Sequence, residues 1–511
     1  MPFSNLYPAP SFMTNRLVKI WAFCSGLILL TGCAAGRHAF NPDKKYPKEQ
    51  LQRDYILFRN ILEQEHPSLY WYTSKDSLDR YFDATYLRIR DSMTEPQFRT
   101  LLSYVVSKMN CGHTTVRASK KWARYQDTGR LEYFPLSIKF WKDSAVVYDN
   151  LNRYDSVLTQ GTLLTSIDHH PVSFYRDSLF QFISADGYAV THKYQTLSNR
   201  GGFAAWFKNV FGLPRRIPIG YVNRWGKEET REVLPFTSKT DSTQAMEPFA
   251  KLSRKEKKQL ALYNIRNLQI DTALSSAYCT LNTFQRGSNL TGFIRSMFKI
   301  LHRHQIRHLV LDLRSNGGGN VSISNLLTRY ITDHPFKLAD SLYAVTRKSQ
   351  YSRYIQNHFR NRLTMNFITR KQSDGKYHFG YFEHHYFKPR RKDHYDGNVY
   401  VITGGNTFSA TTLFADIVKG QKNVLLVGEE TGGGAYGNTA WMIPDVTLPN
   451  TKVRFRLPMF RMVINKDFEK GKGVLPDIFV SSTLQSIRNG EDPKMEKVKE
   501  LISGKKNSVH K

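Results

Sequence analysis

The spacing of apolar positions changes character twice along the chain, and each change marks a different kind of structure. Between residues 47 and about 118 they recur at three and four, in "EQLQRDYILFRNILEQEH", "SLDRYFDATYLRIRDSM" and "PQFRTLLSYVVSKM". That period puts one apolar stripe on each of three helices. Pro67 and Pro96 punctuate them, Pro96 at a helix start behind Thr94. From residue 131 to about 237, β-rich runs take over, "SAVVYD", "GTLLTSID" and "RIPIGYV", around one predicted helix at "FYRDSLFQFI". From about 270, buried-type strands alternate with helices: "RHLVLDL", "SISNLLTRYI", "NVYVITG", "SATTLFADIVKG" and "NVLLVG". Such alternation predicts parallel βαβ units.

The resulting layout is a multidomain α+β chain. It has a helical domain over 47–125, a β-rich domain over 131–237, a linker over 238–265 and an α/β core over 266–490. An aromatic, basic insertion at 335–395 is expected to cap the core, and 491–511 reads as a basic tail. A length of 511 residues suits several such units, and 40% hydrophobic with 23% charged residues excludes general disorder. A net charge of +31 raises the question of nucleic acid. The basic residues are spread along the chain without a recognisable nucleic-acid motif, so no specific nucleic-acid partner is expected; the charge fits anionic envelope surfaces or acidic substrates.

Residues 1–32 separate from this plan. Arg16 and Lys19 precede "IWAFCSGLILL", which is shorter than a bilayer-spanning helix requires and ends in "LTGC", the pattern of a secretory signal. Leu30-Thr31-Gly32-Cys33 resembles the bacterial lipobox. That resemblance implies an acylated Cys33 as mature N-terminus, a tether over 33–46, and an exported, membrane-anchored lipoprotein of the bacterial cell envelope. Cys111 and Cys279 then remain, and sequence alone cannot place them within bonding distance.

Two stretches of the core carry candidate chemistry. "DLRSNGGGN", 312–320, follows a strand and opens a helix, so its glycines could turn backbone N–H groups toward an anion. It could equally be a plain βα turn or a phosphate cradle, although no Lys-Ser/Thr pair follows as in a P-loop. Ser409, in "GGNTFSATTLFADIVKG", stands where a strand hands over to a helix. It is either a nucleophile or the helix cap, a role for which Thr407 competes. No G-x-S-x-G elbow surrounds it. A serine there would set the Ala410 N–H beside an intermediate formed on its own oxygen.

The ordered set "AYCTLNTF", "LVLDLRSNGGGN", "VYVITGGNTFSATTLFADIVKG", "VGEETGGG" and "GKGVLPDI" resembles the C-terminal-processing (tail-specific) serine peptidases, which include the tricorn-like peptidases. "EHPSLYWY" and "MNCGHTTVR" extend the resemblance upstream, and "GTLLTSIDHHPVSFYRDSLFQFI" resembles a PDZ domain. The family implies a PDZ-like module, a crotonase-like spiral core, Ser409 as nucleophile, and an oxyanion hole of N–H groups around Gly317, Gly318 and Ala410. The chain departs from it at Gly434, which stands where the processing proteases carry their lysine base. Tricorn-like members draw a histidine from a "G-H-T" segment, which matches Gly112-His113-Thr114, and an imidazole suits proton acceptance near neutral pH. They orient it with a glutamate near the "GV-x-PD" segment, for which Glu469 is nearest and Glu430 the rival. The substrate implied is a peptide or protein. The alternative is a catalytically inactive peptide- or ligand-binding lipoprotein on the same scaffold. "HRHQIRH" and "EHHYF" lack metal-ligand spacing, so no metal or cofactor is expected.

Overall fold

Three amphipathic helices lead the fold, Lys48–Glu65, Lys75–Leu87 and Glu95–Lys108. The first buries Leu51, Tyr55, Phe58 and Leu62 along one face, which is the three-and-four period at work. The third begins behind Thr94, whose N–H donates to the Gln97 side chain (2.9 Å), with proline in its first turn. The computed structural model describes residues 40–128, 131–237 and 252–504. The chain divides into two units, Met1–Pro42 and Asp43–Lys511, and every helix and strand among the described residues lies in the second. Cys33 and the signal segment lie outside the described residues, as do the first half of the 238–265 linker and the last residues of the tail.

The helices share their core with a distant part of the chain. Val116–Arg117 pairs with Arg454–Arg456, which pairs with Asp445–Thr447. Phe455 packs edge-on against Phe58, with ring centroids 5.0 Å apart. Asp54, fully buried, accepts four hydrogen bonds from Asn450 and Thr451 at 2.6–3.0 Å. A buried carboxylate so saturated fixes the helical layer, and the loop that follows it, on the rest of the fold.

Residues 136–233 form an antiparallel sheet in the order Leu136–Phe140, Ala145–Asn150, Leu163–Ile167, Ile217–Val222 and Glu228–Val233. Three helices cover it where the sequence pattern predicted one: Val172–Phe180, Val190–Ser198 and Gly202–Phe211. The extra two, nine and ten residues long, are joined through Ser198-Asn199-Arg200-Gly201-Gly202, a stretch that reads as a loop in the sequence. Burial of Leu197, Phe203 and Phe207 against the sheet stabilises them.

The central sheet runs Arg266–Asp271, Ser276–Leu281, His308–Asp312, Asn398–Thr403, Val424–Gly428, Ile478–Phe479. Its first pair is antiparallel and the rest parallel, with Leu290–Arg303, Val321–Ile331 and Ala410–Val418 as connecting helices. The expected cap is woven into a second sheet, because Ser341–Ala344 pairs with Phe460–Val463. The expected tail is also structured. Pro493–Ser503 is a helix capped by Asp492, and the buried Lys494 donates to Glu429 (2.6 Å) and the Thr403 carbonyl (2.9 Å).

Candidate active site

Ser409 sits at the junction of the strand Asn398–Thr403 and the helix Ala410–Val418, with φ 57° and ψ −123°. A serine at positive φ is strained, and strain of this kind persists where the surroundings over-determine it. Ser409 holds the N-cap position, yet its side chain makes no capping hydrogen bond. Thr407, the rival cap, is engaged elsewhere: its hydroxyl accepts from Gly404 N (3.0 Å) and donates to the Leu313 carbonyl (3.0 Å). The Ser409 hydroxyl is therefore released from helix capping.

The glycine turn lies directly on this serine. At Gly318 (φ +87°) an added Cβ would stand 2.6 Å from the Phe408 carbonyl oxygen, 2.8 Å from Ser409 Cβ and 2.9 Å from Ala410 N. Asn316, fully buried, clamps the two segments. Its Oδ1 accepts from Gly318 N (2.9 Å) and Thr411 Oγ1 (2.8 Å), and its carbonyl accepts from Phe408 N (3.1 Å). The Gly318 N–H is thus occupied. Of the three predicted oxyanion donors, Gly317 and Ala410 are those whose N–H groups meet no acceptor among the described residues.

His113 reaches the same cleft from the helical layer. A cleft of about 350 Å³ is lined by Gly112, His113, the glycine turn, Phe408 and Ser409, together with His192, Ile443 and Arg456. His113 is 4% exposed, and neither ring nitrogen has a hydrogen-bond partner. Its ring packs on Phe408, centroids 4.7 Å apart. Asp186 stands behind it, Oδ1 at 3.5 Å from Nδ1. That oxygen also accepts from Gly112 N (2.8 Å), while Asp186 Oδ2 is buried without a partner.

The loop that bears His113 is braced on both sides. Ser184 Oγ donates to the Cys111 carbonyl (2.6 Å) and Gly187 N to the Asn110 carbonyl (2.9 Å). On the other side, His66 Nδ1 accepts from Ser68 N (3.2 Å), so its Nε2 carries the proton and donates to Thr114 Oγ1 (2.9 Å). Thr114 Oγ1 in turn donates to Cys111 Sγ (3.3 Å). Burial pushes His66 down to about 3 and the Cys111 thiol up to about 11, so both stay neutral. Cys111 and Cys279 are free buried thiols.

Neither predicted glutamate meets His113. Glu469 is 66% exposed and pairs with Lys472 at 2.7 Å; its nearness in sequence to "GVLPD" does not bring it to the histidine. Glu430 accepts from Gly473 N (2.7 Å) and Thr191 Oγ1 (3.2 Å), an internal tie between loops. The carboxylate that does stand beside His113 is that of Asp186. His192, also unforeseen, packs on Phe408 as well, with centroids 5.0 Å apart, and its Nδ1 bonds the Gly405 carbonyl (2.9 Å). Burial holds its imidazole below the usual histidine range. Among the described residues no group of three or more His, Cys, Asp or Glu could hold a metal ion.

Residues 275–480, from the second strand of the central sheet to its last, match the model of peptidase family S41. This region is an S41 serine-type peptidase domain. It contains Ser409, the glycine turn and Gly434, whereas His113 and Asp186 lie upstream of it. No curated protein sequence matches the chain. Mature CPAF complexed with lactacystin is similar in fold, with a TM-score of 0.62 and 14% identity over 90% of this chain and 99% of that one. A second structure of mature CPAF gives 0.59 at 14% identity, over 90% and 99% of the two chains. The S41 domain implies peptide or protein substrates.

Proposed function

We propose that the protein hydrolyses peptide bonds of exported or envelope polypeptides through Ser409, with His113 as general base in the manner of the tricorn-like branch. One observation carries this reading: a buried histidine with neither ring nitrogen hydrogen-bonded shares a cleft with an uncapped serine held at positive φ. A buried polar group left unsatisfied costs about 1–3 kcal/mol, a cost that selection tolerates at working sites. Ser409 Oγ attacks the scissile carbonyl as His113 takes its proton. The Gly317 and Ala410 N–H groups receive the oxyanion, and His113 then returns the proton to the leaving amine. Water repeats the cycle on the acyl-enzyme. Asp186 acts through His113, holding the ring and countering the positive charge it gains. His113 and Ser409 are not hydrogen-bonded in this structure, and such bonds tighten when substrate fills the site.

On the same reading, residues 131–237 are a PDZ-like module and the parallel sheet with its helices is a crotonase-like core. Cys33 is acylated and tethers the mature protein to the envelope membrane. Cys33→Ser should release it into the soluble fraction. A fluorophosphonate should label Ser409 in the wild type, fail with Ser409→Ala, and react at least 10²-fold more slowly with His113→Ala. Labelling of folded wild type at another serine, or none, would refute the peptidase reading in favour of a binding protein on this scaffold.

A further inference from the structure

The cleft around Ser409 contains one formal charge. Among its lining residues Arg456 is the single Lys, Arg, Asp or Glu; the rest are glycines, neutral polar groups, apolar side chains and the two histidines. Its position is set by the sheet that joins the helical layer to the core. The Arg456 N–H donates to the Thr115 carbonyl (2.9 Å), two residues beyond His113, so the arginine and the histidine enter the cleft from adjoining backbone.

The obvious partner for this arginine is taken by others. Asp445 stands opposite Arg456 in the strand register, but its carboxylate pairs with Arg454 (2.7 Å) and Arg117 (3.2 Å). Three arginines thus surround one aspartate, and Arg456 is the one of them with no ion pair among the described residues. Burial and the nearby Arg117 push its guanidinium below the ordinary arginine range, and the already paired Asp445 offsets this only in part. An arginine nevertheless stays charged in proteins, so this is a partly desolvated cation with donors to spare. Removing a cation from water without an anion is costly, and a bound carboxylate would offset that cost with charge-assisted, bidentate hydrogen bonds.

Resting on the assignment of Ser409 as nucleophile, we propose that Arg456 is the specificity-determining residue of the cleft and binds a substrate carboxylate close to the scissile bond. The carboxylate belongs either to an Asp or Glu side chain or to the free C-terminus of the substrate. The same guanidinium serves both, and their distance from the cut bond separates them.

The test uses paired peptides in the full chain. One series replaces Glu by Gln at each position within four residues of the cleavage site. A second series pairs a free C-terminal carboxylate with its amide. The wild type should prefer the carboxylate member of one series by about 10–100-fold in kcat/KM, as expected for a charge-assisted pair. Arg456→Gln should bring that ratio to within about twofold, and Arg456→Glu should invert it toward a Lys-containing peptide. Because each ratio is taken within one variant, general loss of activity does not imitate the effect; Arg456→Lys, which keeps the charge, should retain part of the preference. A wild type without preference, or a preference that survives Arg456→Gln, would overturn the proposal. Failure of a fluorophosphonate to label Ser409 would instead remove the nucleophile assignment beneath it.

Discussion

Replacing Asp186 by Asn is the sharpest probe of the site, because it removes a charge and little else. Asp186 is 1% exposed and does not line the cleft, so substrate does not touch it. Asn keeps an oxygen to accept the Gly112 N–H (2.8 Å), which preserves the loop that carries His113. On the proposed mechanism, what changes is the response to the imidazolium formed during attack. Two opposite unit charges 3.5 Å apart attract by about 5 kcal/mol at an effective dielectric constant of about 20. At roughly 1.4 kcal/mol per tenfold in rate, that is a ceiling of three to four decades. The Asn dipole recovers part of it, so kcat should fall by about 10²–10³ with KM nearly unchanged. A group that merely stabilised the fold would lower the melting temperature and leave the kcat of the remaining folded enzyme intact. Steady-state kinetics with a fluorogenic peptide, beside thermal unfolding of the same samples, separates the two. If Asp186→Asn turns over within about threefold of wild type while His113→Ala is inactive, the carboxylate plays no part in the proton transfer. The unpartnered Asp186 Oδ2 would then need another explanation.

Gly318→Ala should nearly abolish fluorophosphonate labelling and lower stability, since φ +87° disfavours any Cβ and the new methyl would strike the Phe408 carbonyl and Ser409; normal labelling would show that the turn can retreat from the serine. Asp416, on the helix behind Ser409, has a buried oxygen without a partner, and burial raises its carboxyl from 3.8 to about 7. The folded state therefore binds a proton that the unfolded chain has released between about pH 4 and 7, and this group's stabilising contribution is lost as pH rises through that window. Asp416→Asn should raise the urea midpoint at pH 8, by up to about 4 kcal/mol of stability, and change it little at pH 4; a lower midpoint at pH 8 would contradict the assignment of burial as the cause.

The parts of this site legible in the sequence are those built from neighbours. Ser409 and Ala410 are adjacent, and "SNGGGN" is a single turn after a buried strand, so local pattern sufficed to single them out. His113 was reachable only through a short "G-H-T" match, and the carboxylate that stands beside it not at all. Asp186 lies 74 residues from Gly112, in a segment whose Asp-Gly pair looks like any turn. Glu469 was chosen for proximity along the chain, but the fold leaves it on the surface beside Lys472. The last helix was missed despite a readable signal, because Asp492 followed by Pro493 is a helix start in a stretch whose lysines suggested only a tail.

Gly434 ties the missing lysine to the unforeseen aspartate. An added Cβ there would lie 2.7 Å from the Gly437 carbonyl oxygen and 3.7 Å from Asp186 Cβ. A lysine at this position would collide with backbone that cannot yield cheaply, and its stem would begin beside Asp186. On the resemblance to the processing proteases this is where their lysine base would begin, and Asp186, from another part of the chain, bounds that space here. On the proposed mechanism, a lysine at position 434 and the Asp186–His113 pair therefore compete for the same space. Gly434→Lys should on this argument destabilise the fold without supplying a working base, even in a chain that has lost His113. Recovery of labelling at Ser409 in the double variant Gly434→Lys/His113→Ala would show that the two arrangements are interchangeable and that the packing argument is wrong.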